Sequence, residues 1–181
     1  MNDKELEECA EIEYQCWREN FSPMLKISEI LYYQTVIGFK KNLEVLLKSG
    51  TYKPHSIIIY DSKFEVVNRA RVEVRTVSGF AVIQQRQNGM QEYVVEKFFV
   101  SPKHQGRGIG QKLLEAIIDN FSDKSISVSV FEQNRIAQHL LIKNGFEKTL
   151  CVNSKITYGK NEINVKNVYY KWRKNNERDI L

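Results

Sequence analysis

Glu96-Lys-Phe-Phe-Val-Ser-Pro-Lys-His-Gln-Gly-Arg-Gly-Ile-Gly110, followed by Gln111-Lys-Leu-Leu-Glu-Ala-Ile-Ile-Asp-Asn-Phe121, is the stretch on which the reading of this chain turns. A β-branched and aromatic run enters a short basic loop with glycines at alternate positions (Gly106, Gly108 and Gly110) and leaves it as an amphipathic helix. In that helix Ile109, Leu113, Ile117 and Phe121 recur every four residues and form one apolar stripe. A strand that feeds a glycine-rich turn into a helix N-terminus builds a site for an anion. Glycine lets the backbone come close to a ligand, the first N–H groups of the helix lack partners within it, and the dipole favours negative charge. The segment reads as the grip for a diphosphate; the bland alternative is a glycine turn that binds nothing.

The 181 residues predict one domain with a single sizeable core. Hydrophobic residues at 42% and charged residues at 27% are ordinary for a globular chain. No apolar run approaches the ~18 residues of a membrane span, and the acidic opening Met1-Asn-Asp-Lys-Glu-Leu-Glu-Glu8 has no apolar segment of a signal peptide. Cys9, Cys16 and Cys151 are odd in number and lack metal-type spacing. They are expected as buried free thiols in a reducing compartment, which points to the cytoplasm. His55, His104 and His139 share no ligand spacing with them, so no metal site is expected. The net charge of +5 is uneven: residues 1–20 hold seven acids against two bases, a balance of −5, which leaves +10 for the rest. A basic body suits a phosphorylated cofactor, an anionic substrate or nucleic acid, or is simply a solvated lysine-rich surface.

Along the chain, residues 3–20 read as a helix with Leu6, Cys9, Ala10, Cys16 and Trp17 on one side, stopping and restarting at Ser22-Pro23. Residues 26–48 carry a second helical pattern that Gly38 divides. Strands follow over 56–60, over 68–77 with Ala70, Val72 and Val74 on one face, and over 80–85 after a break at Ser78-Gly79. Asn88-Gly89 predicts a two-residue hairpin turn into a strand over 93–100. Ile126, Val128 and Val130 mark another strand. Residues 135–143 read as a helix with Ile136, Ala137, Leu140 and Leu141 inward and Gly145 as its cap, and strands over 146–152 and 165–173 close the chain. The order predicts an α/β (α+β, mixed-sheet) fold of about six or seven strands with helices on both faces.

The loop is neither G-x-G-x-x-G, since position 111 is Gln, nor a G-x-x-x-x-G-K-[ST] phosphate loop. Gln105-Gly-Arg-Gly-Ile-Gly110 does resemble the Q/R-x-x-G-x-G/A signature of the GNAT superfamily of N-acetyltransferases, and Phe98-Phe99-Val100-Ser-Pro102 resembles that family's fourth strand. Downstream, Asn134-Arg-Ile-Ala137-Gln-His-Leu140-Leu-Ile-Lys-Asn-Gly145-Phe146 resembles its second conserved block. The likeness is close over about residues 92–147. It implies a single N-acetyltransferase domain over 1–181, with 1–50 a helical substrate-side region and 92–147 the acetyl-CoA-binding core. It further implies acetyl-CoA wedged between two strands that splay at a bulge. Backbone groups of Phe98, Phe99 and Val100 would pair with the pantetheine arm. The stretch Gln105, Gly106, Arg107, Gly108, Ile109 and Gly110 would hold the pyrophosphate, and Asn134 would hydrogen-bond the thioester region. Lys103 and Arg107 would meet phosphates or be solvated.

Acetyl transfer to an amine needs the amine neutral. A Lys-like ammonium of pKa ~10.4 is neutral in roughly one molecule in 2,500 at pH 7, a penalty of about 4.6 kcal/mol, whereas protonating a thiol of pKa ~8.5 supplies only about 2 kcal/mol. A base therefore matters more than an acid. Glu96 is the candidate general base: read as a regular strand, it shares a face with Val94, Phe98 and Val100, and desolvation on such a face makes a carboxylate a better base. The alternative is a structural carboxylate paired with a cross-strand Arg or Lys. Glu92 is a second choice. Leu141 stands where the family usually has a tyrosine to protonate the thiolate, so the acid is sought elsewhere, among Tyr158, Tyr169 and Tyr170. His139 would point away.

The sequence thus reads as an acetyl-CoA-dependent N-acetyltransferase working by direct attack in a ternary complex. Its acceptor would be a small amine or polyamine, a protein amine or, as in toxin-type relatives, aminoacyl-tRNA. A non-catalytic CoA-binding module is the alternative class. A nucleic-acid binder using Arg69, Arg71, Arg75 and the Lys171-Trp-Arg-Lys174 tail lacks the interleaved aromatics of single-strand binders. A homodimer is left open, and no membrane partner is expected.

Overall fold

The structure is a computed structural model, and it describes residues 1–25, 35–48, 54–67, 70–87, 91–158 and 161–174. The strands β1 (His55–Val67), β2 (Ala70–Gln87), β3 (Gln91–Val100), β4 (Ser125–Phe131), β5 (Glu147–Tyr158) and β6 (Asn161–Trp172) form one open six-stranded sheet in the order β1-β2-β3-β4-β6-β5. Neighbours are antiparallel except β3 and β4, whose parallel pairing follows from the crossover helix between them. The helices are α1 (Asp3–Cys16), the single turn α2 (Ser22–Leu25), α3 (Val36–Lys48), α4 (Ile109–Phe121) and α5 (Arg135–Lys143).

Alternation along β2 sends successive residues to opposite sides of the sheet and builds two cores. Ala81 and Ile83 meet Leu113, Leu114 and Ile117 of α4 and Leu141 of α5. Phe80 and Val82 meet Leu6, Cys9 and Cys16 of α1 with Phe39 and Leu43 of α3. α1 starts with a capping box: Asn2 Oδ1 accepts from Glu5 N at 2.9 Å, and Glu5 Oε2 accepts from Asn2 N at 2.7 Å. Instead of stopping at Ser22-Pro23, it runs through a π turn, Trp17–Phe21, into α2. A π turn holds one extra residue, and such turns recur at functional sites.

One irregularity shapes the centre of the sheet. Val82 pairs with Lys97 and Ile83 with Val95, so Glu96 is an extra residue, a bulge in β3. The bulge reverses the phase of the strand. Tyr93 and Val95 face the α4 side before it, Phe98 and Val100 face that side after it, and Phe99 faces α1. The expectation that Glu96 shares one face with Val94, Phe98 and Val100 is therefore corrected, because it assumed an uninterrupted strand. The parallel ladder covers only Glu92–Val95 against Ser125–Val128. Past it, β3 stays with β2 to Val100 and β4 stays with β6 to Phe131, so a wedge opens between the two strands.

Other expectations change for similar reasons. Ser78-Gly79 does not end a strand: Ser78 is a second bulge inside one continuous β2, and its hydroxyl donates to Ile59 O at 2.9 Å. Val72 lies 42% exposed, on a stretch of β2 that pairs with β1 and not with β3. Gly38 sits inside α3 without dividing it. Ile136 is 85% exposed and Gln138 takes the inward place, since the buried side of α5 centres on Gln138 and Leu141. Cys151 is exposed on the outer strand β5, whereas Cys9 and Cys16 are buried. The expected turn at Asn88-Gly89 and residues 26–34 of the second helical pattern lie outside the described residues; Gln87 pairs with Gln91.

Two glycines with opposite surroundings test this packing. A Cβ at Gly79 would lie 3.0 Å from Ile109 Cγ2 and 3.0 Å from the Phe99 carbonyl oxygen, while at Gly38 the nearest atom is Thr35 Oγ1 at 3.6 Å. Thermal or urea unfolding of Gly79→Ala is expected to show a loss of about 1–3 kcal/mol. Gly38→Ala, in a helix with room for a methyl, is expected to be neutral or to gain about 0.5–1 kcal/mol.

Candidate active site

The glycine loop joins β3 to α4. Gly106 and Gly108 have φ of 76° and 77°, values that L side chains rarely adopt, and a Cβ at either would meet nothing within 4 Å. Their backbone faces open space. Gly108 is the N-cap of α4 and supplies no side-chain cap. The first intrahelical bond there is Lys112 N to Gly108 O at 3.1 Å, so the N–H groups of Ile109, Gly110 and Gln111 have no partner in the helix. Gly110 has a packing role, since a Cβ there would sit 3.4 Å from Leu140 Cδ2 of α5. Gln105 Nε2 donates to Val100 O at 3.1 Å and ties the loop to the strand end. Lys103 and Arg107 are exposed and have no carboxylate partner among the described residues. A cluster of outward amides at a helix N-terminus, flanked by two unspent cations, can hold a phosphate group.

From the loop the wedge between β3 and β4 leads into a cleft of ≈ 470 Å³. Phe98 and Phe99 form one wall and Val128, Val130 and Phe131 the other, with Asn134, Leu140 and Leu141 from the α5 side. Val100 O already accepts from Cys16 Sγ at 3.2 Å and from Gln105, which leaves the edge at Phe98 and Phe99 for another chain. Asn134 caps α5, its Oδ1 accepting from Ala137 N at 3.1 Å, so its amide NH2 is what it offers the cleft.

Two carboxylates line the cleft, and they differ. Glu96 stands at the bulge, 3.3 Å from Arg86 on β2, which is the cross-strand pairing that the sequence left open. Glu13 of α1 is 1% exposed. Its Oε1 accepts from Lys97 Nζ, while its Oε2 has no hydrogen-bond partner. Burial pushes the Glu13 carboxyl above the ordinary carboxylate range, against the opposing pull of the Lys97 charge and hydrogen bond. Glu13 is not among the site residues expected from the sequence. The signal was there: the apolar side of α1 runs 6, 9, 10, 16, 17, and position 13 is where the 3–4 spacing places the missing member. Trp17 and Phe21 continue that side through the π turn, and both line the cleft.

Glu92 does not join them. It sits at the paired end of β3, 2.9 Å from Lys171 and accepting from Ser127 Oγ, and despite burial these bonds hold it below the ordinary carboxylate range. Leu141 is buried at 4% exposure and lines the cleft. Among the described residues no tyrosine does. Tyr170 is buried and donates to Gln138 Oε1 at 3.1 Å, Tyr169 lies on β6, and the side chain of Tyr158 is outside the described residues. His139 is exposed on α5. Among the described residues no three His, Cys, Asp or Glu side chains are grouped to hold a metal ion, and no helix is long and apolar enough to cross a membrane.

Residues 61–148 match the family model of the acetyltransferase (GNAT) domain. The chain is 32% identical over 109 aligned positions to the L-amino acid N-acyltransferase MnaT of Escherichia coli, covering 49% of this chain and 63% of that protein. It is 35% identical over 57 positions to the spermine/spermidine N(1)-acetyltransferase of Bacillus subtilis, covering 29% of this chain and 38% of that one. It therefore spans less than two thirds of either relative's length. The crystal structure of smu.2055 from Streptococcus mutans superposes with a TM-score of 0.62 at 15% identity, over 96% of both chains, which shows a shared fold.

The Glu13–Lys97 pair makes a prediction about stability. In Lys97→Met the Glu13 carboxylate is left buried and unpaired, and chemical denaturation at pH 8 is expected to show a loss of roughly 3–5 kcal/mol. An acid whose folded pKa lies above its unfolded one favours the folded state when protonated, so stability falls as pH rises through that interval. Lowering the pH toward 5 should accordingly restore most of what Lys97→Met loses. A loss independent of pH would show that Glu13 is not its cause.

Proposed function

We propose, from the premise that this chain carries a GNAT acetyltransferase domain, that it transfers the acetyl group of acetyl-CoA to a primary amine by direct attack in a ternary complex. The observation that carries the reading is the wedge opened by the Glu96 bulge, with the uncapped, glycine-led start of α4 at one end and two carboxylates at the other. The residues fit the co-substrate. The amides from Gly106 to Gln111 suit a pyrophosphate, Lys103 and Arg107 suit further phosphate charge, and the open edge at Phe98 and Phe99 suits the amides of a pantetheine arm. Asn134 has an NH2 to donate to a carbonyl in the wedge. Val100 helps through its position, because its carbonyl is spent.

Acetyl-CoA supplies an activated thioester, and the chain must do the rest. The strand walls fix the direction from which an amine approaches and exclude water on the apolar side of Leu140 and Leu141. Glu96, partly exposed at the bulge, is the proposed proton acceptor for the amine. Leu141 offers no proton to the departing thiol, and by the pKa arithmetic this costs at most about 2 kcal/mol, which solvent reaching the open cleft can supply. The relatives named for L-amino acids and for spermine and spermidine support a small-molecule amine as acceptor; an amine of a protein is the other acceptor considered. The two buried, unpaired thiols suit a reducing compartment such as the cytoplasm.

The tyrosine-free cleft with Leu141 favours one second reading, a CoA-binding module without turnover. Calorimetry with acetyl-CoA and thiol release over a broad amine panel separate the two. Acetyl-CoA is expected to bind more tightly than ~1 mM, and Gly106→Ala/Gly108→Ala to weaken it at least about tenfold, since each positive φ costs a non-glycine residue roughly 1–2 kcal/mol. Glu96→Gln is expected to lower kcat by about 10²–10⁴ with coenzyme affinity unchanged. Binding without release of thiol for any amine would favour the module.

A further inference from the structure

The charges around the cleft are matched almost completely. Lys155 pairs with Glu162 at 2.6 Å, Glu96 with Arg86, and Lys97 with Oε1 of Glu13. Among the described lining residues, the buried side-chain acceptor without a partner is Oε2 of Glu13. A buried carboxylate oxygen left unbonded is costly, and a donor that completes it recovers that cost. Next to it on the same side of the helix the π turn brings out Trp17 and Phe21, whose rings lie 5.2 Å apart, edge to face. Both also meet Phe131 at the end of β4, at 6.0 and 5.5 Å. Glu13, Trp17, Phe21 and Phe131 all line the cleft.

Resting on the acetyl-transfer reading above, we infer that these four residues are the acceptor subsite, and that it takes a monoamine carried on an apolar, ring-bearing body. Its nitrogen hydrogen-bonds to Oε2 of Glu13, and its body lies against the Trp17, Phe21 and Phe131 rings. The arrangement discriminates against polyamines. A spermidine-like chain brings two or three cations, each of which needs a carboxylate once it leaves water. Of the two carboxylates lining the cleft, Glu96 is paired with Arg86 and Glu13 with Lys97, and Lys155 is a second lysine on the lining. Lys97 beside Glu13 adds to the discrimination. Its charge disfavours a second cation and favours the amine in its neutral, reactive form. An apolar body, by contrast, gains from covering rings that are already packed against one another.

The test uses the 181-residue chain, acetyl-CoA and three probes: 2-phenylethylamine, n-propylamine and spermidine. Thiol release gives kcat/KM, and saturation-transfer NMR gives amine binding without turnover. 2-Phenylethylamine is expected to exceed spermidine and n-propylamine in kcat/KM by at least about tenfold. Glu13→Gln is expected to lower its kcat/KM by roughly 30-fold or more, and Trp17→Ala to erase its advantage over n-propylamine, with acetyl-CoA affinity unchanged in both. Should Glu13→Gln fold poorly, Glu13→Gln/Lys97→Met removes both charges of the pair and is expected to be stable yet equally impaired. A merely structural Glu13 would lower all three amines alike and be rescued in the double variant, which overturns the inference. So does spermidine used as well as 2-phenylethylamine. If no amine, of these three or of the broad panel, is turned over, the reading of acetyl transfer to a small amine fails. The NMR arm still decides the subsite: 2-phenylethylamine retained by the native chain and lost in Glu13→Gln upholds it, and no difference between them refutes it.

Discussion

A single extra residue in β3 sets what this molecule can do. Without Glu96 as a bulge, β3 and β4 would have no reason to part after four paired positions, and the sheet would close over its own centre. With it, the strand bends and reverses phase, and each strand keeps its outer neighbour. The open backbone edge between them cannot be left bare in a folded chain without cost, since unpaired N–H and C=O groups away from water are expensive. A ligand whose own amides can run along that edge answers the constraint, and the uncapped start of α4 at its end answers the charge such a ligand carries. On the proposed function, strand edge and helix terminus act as one site, made by one register shift.

The other end of the wedge depends on α1. Its buried side would be uniformly apolar but for Glu13, and desolvating a carboxylate is tolerable there only because Lys97, just past the bulge, reaches across to it. Removing the bulge would turn Lys97 to the opposite face and leave Glu13 without its cation. The bulge thus opens the cleft and also places the counter-ion that lets an acid line it. Glu96 and Glu13 illustrate how environment divides two identical side chains. The first is partly solvated and paired with an exposed arginine, and the second is dry, with one oxygen unspent.

Much of this was legible in the chain, for reasons that particular residues make plain. The stripe Ile109, Leu113, Ile117, Phe121 and the glycines ahead of it point to α4, because helical periodicity and positive φ are local properties. The same holds for α5, closed by Gly145 at φ 81°. The bulges at Ser78 and Glu96 were not legible, because a bulge is a mismatch between strands that are far apart in sequence. Ser78-Gly79 looks like a break, and Glu96 like an ordinary strand residue. Ile136 misled for a related reason: its apolar side chain suggests burial, yet its position on α5 points it outward. Glu13 was half legible. A carboxylate at an apolar position of a helix announces a partner, but Lys97 is 84 residues away.

Residue-resolved amide hydrogen exchange, with and without coenzyme A, reads the strand edge and the glycine loop in one experiment. New protection is expected to be confined to Phe98–Val100 and to the amides from Gly106 to Gln111, with β1 and β5 unchanged. Protection elsewhere, or none at the glycine loop with the coenzyme at millimolar concentration, would contradict the proposed site.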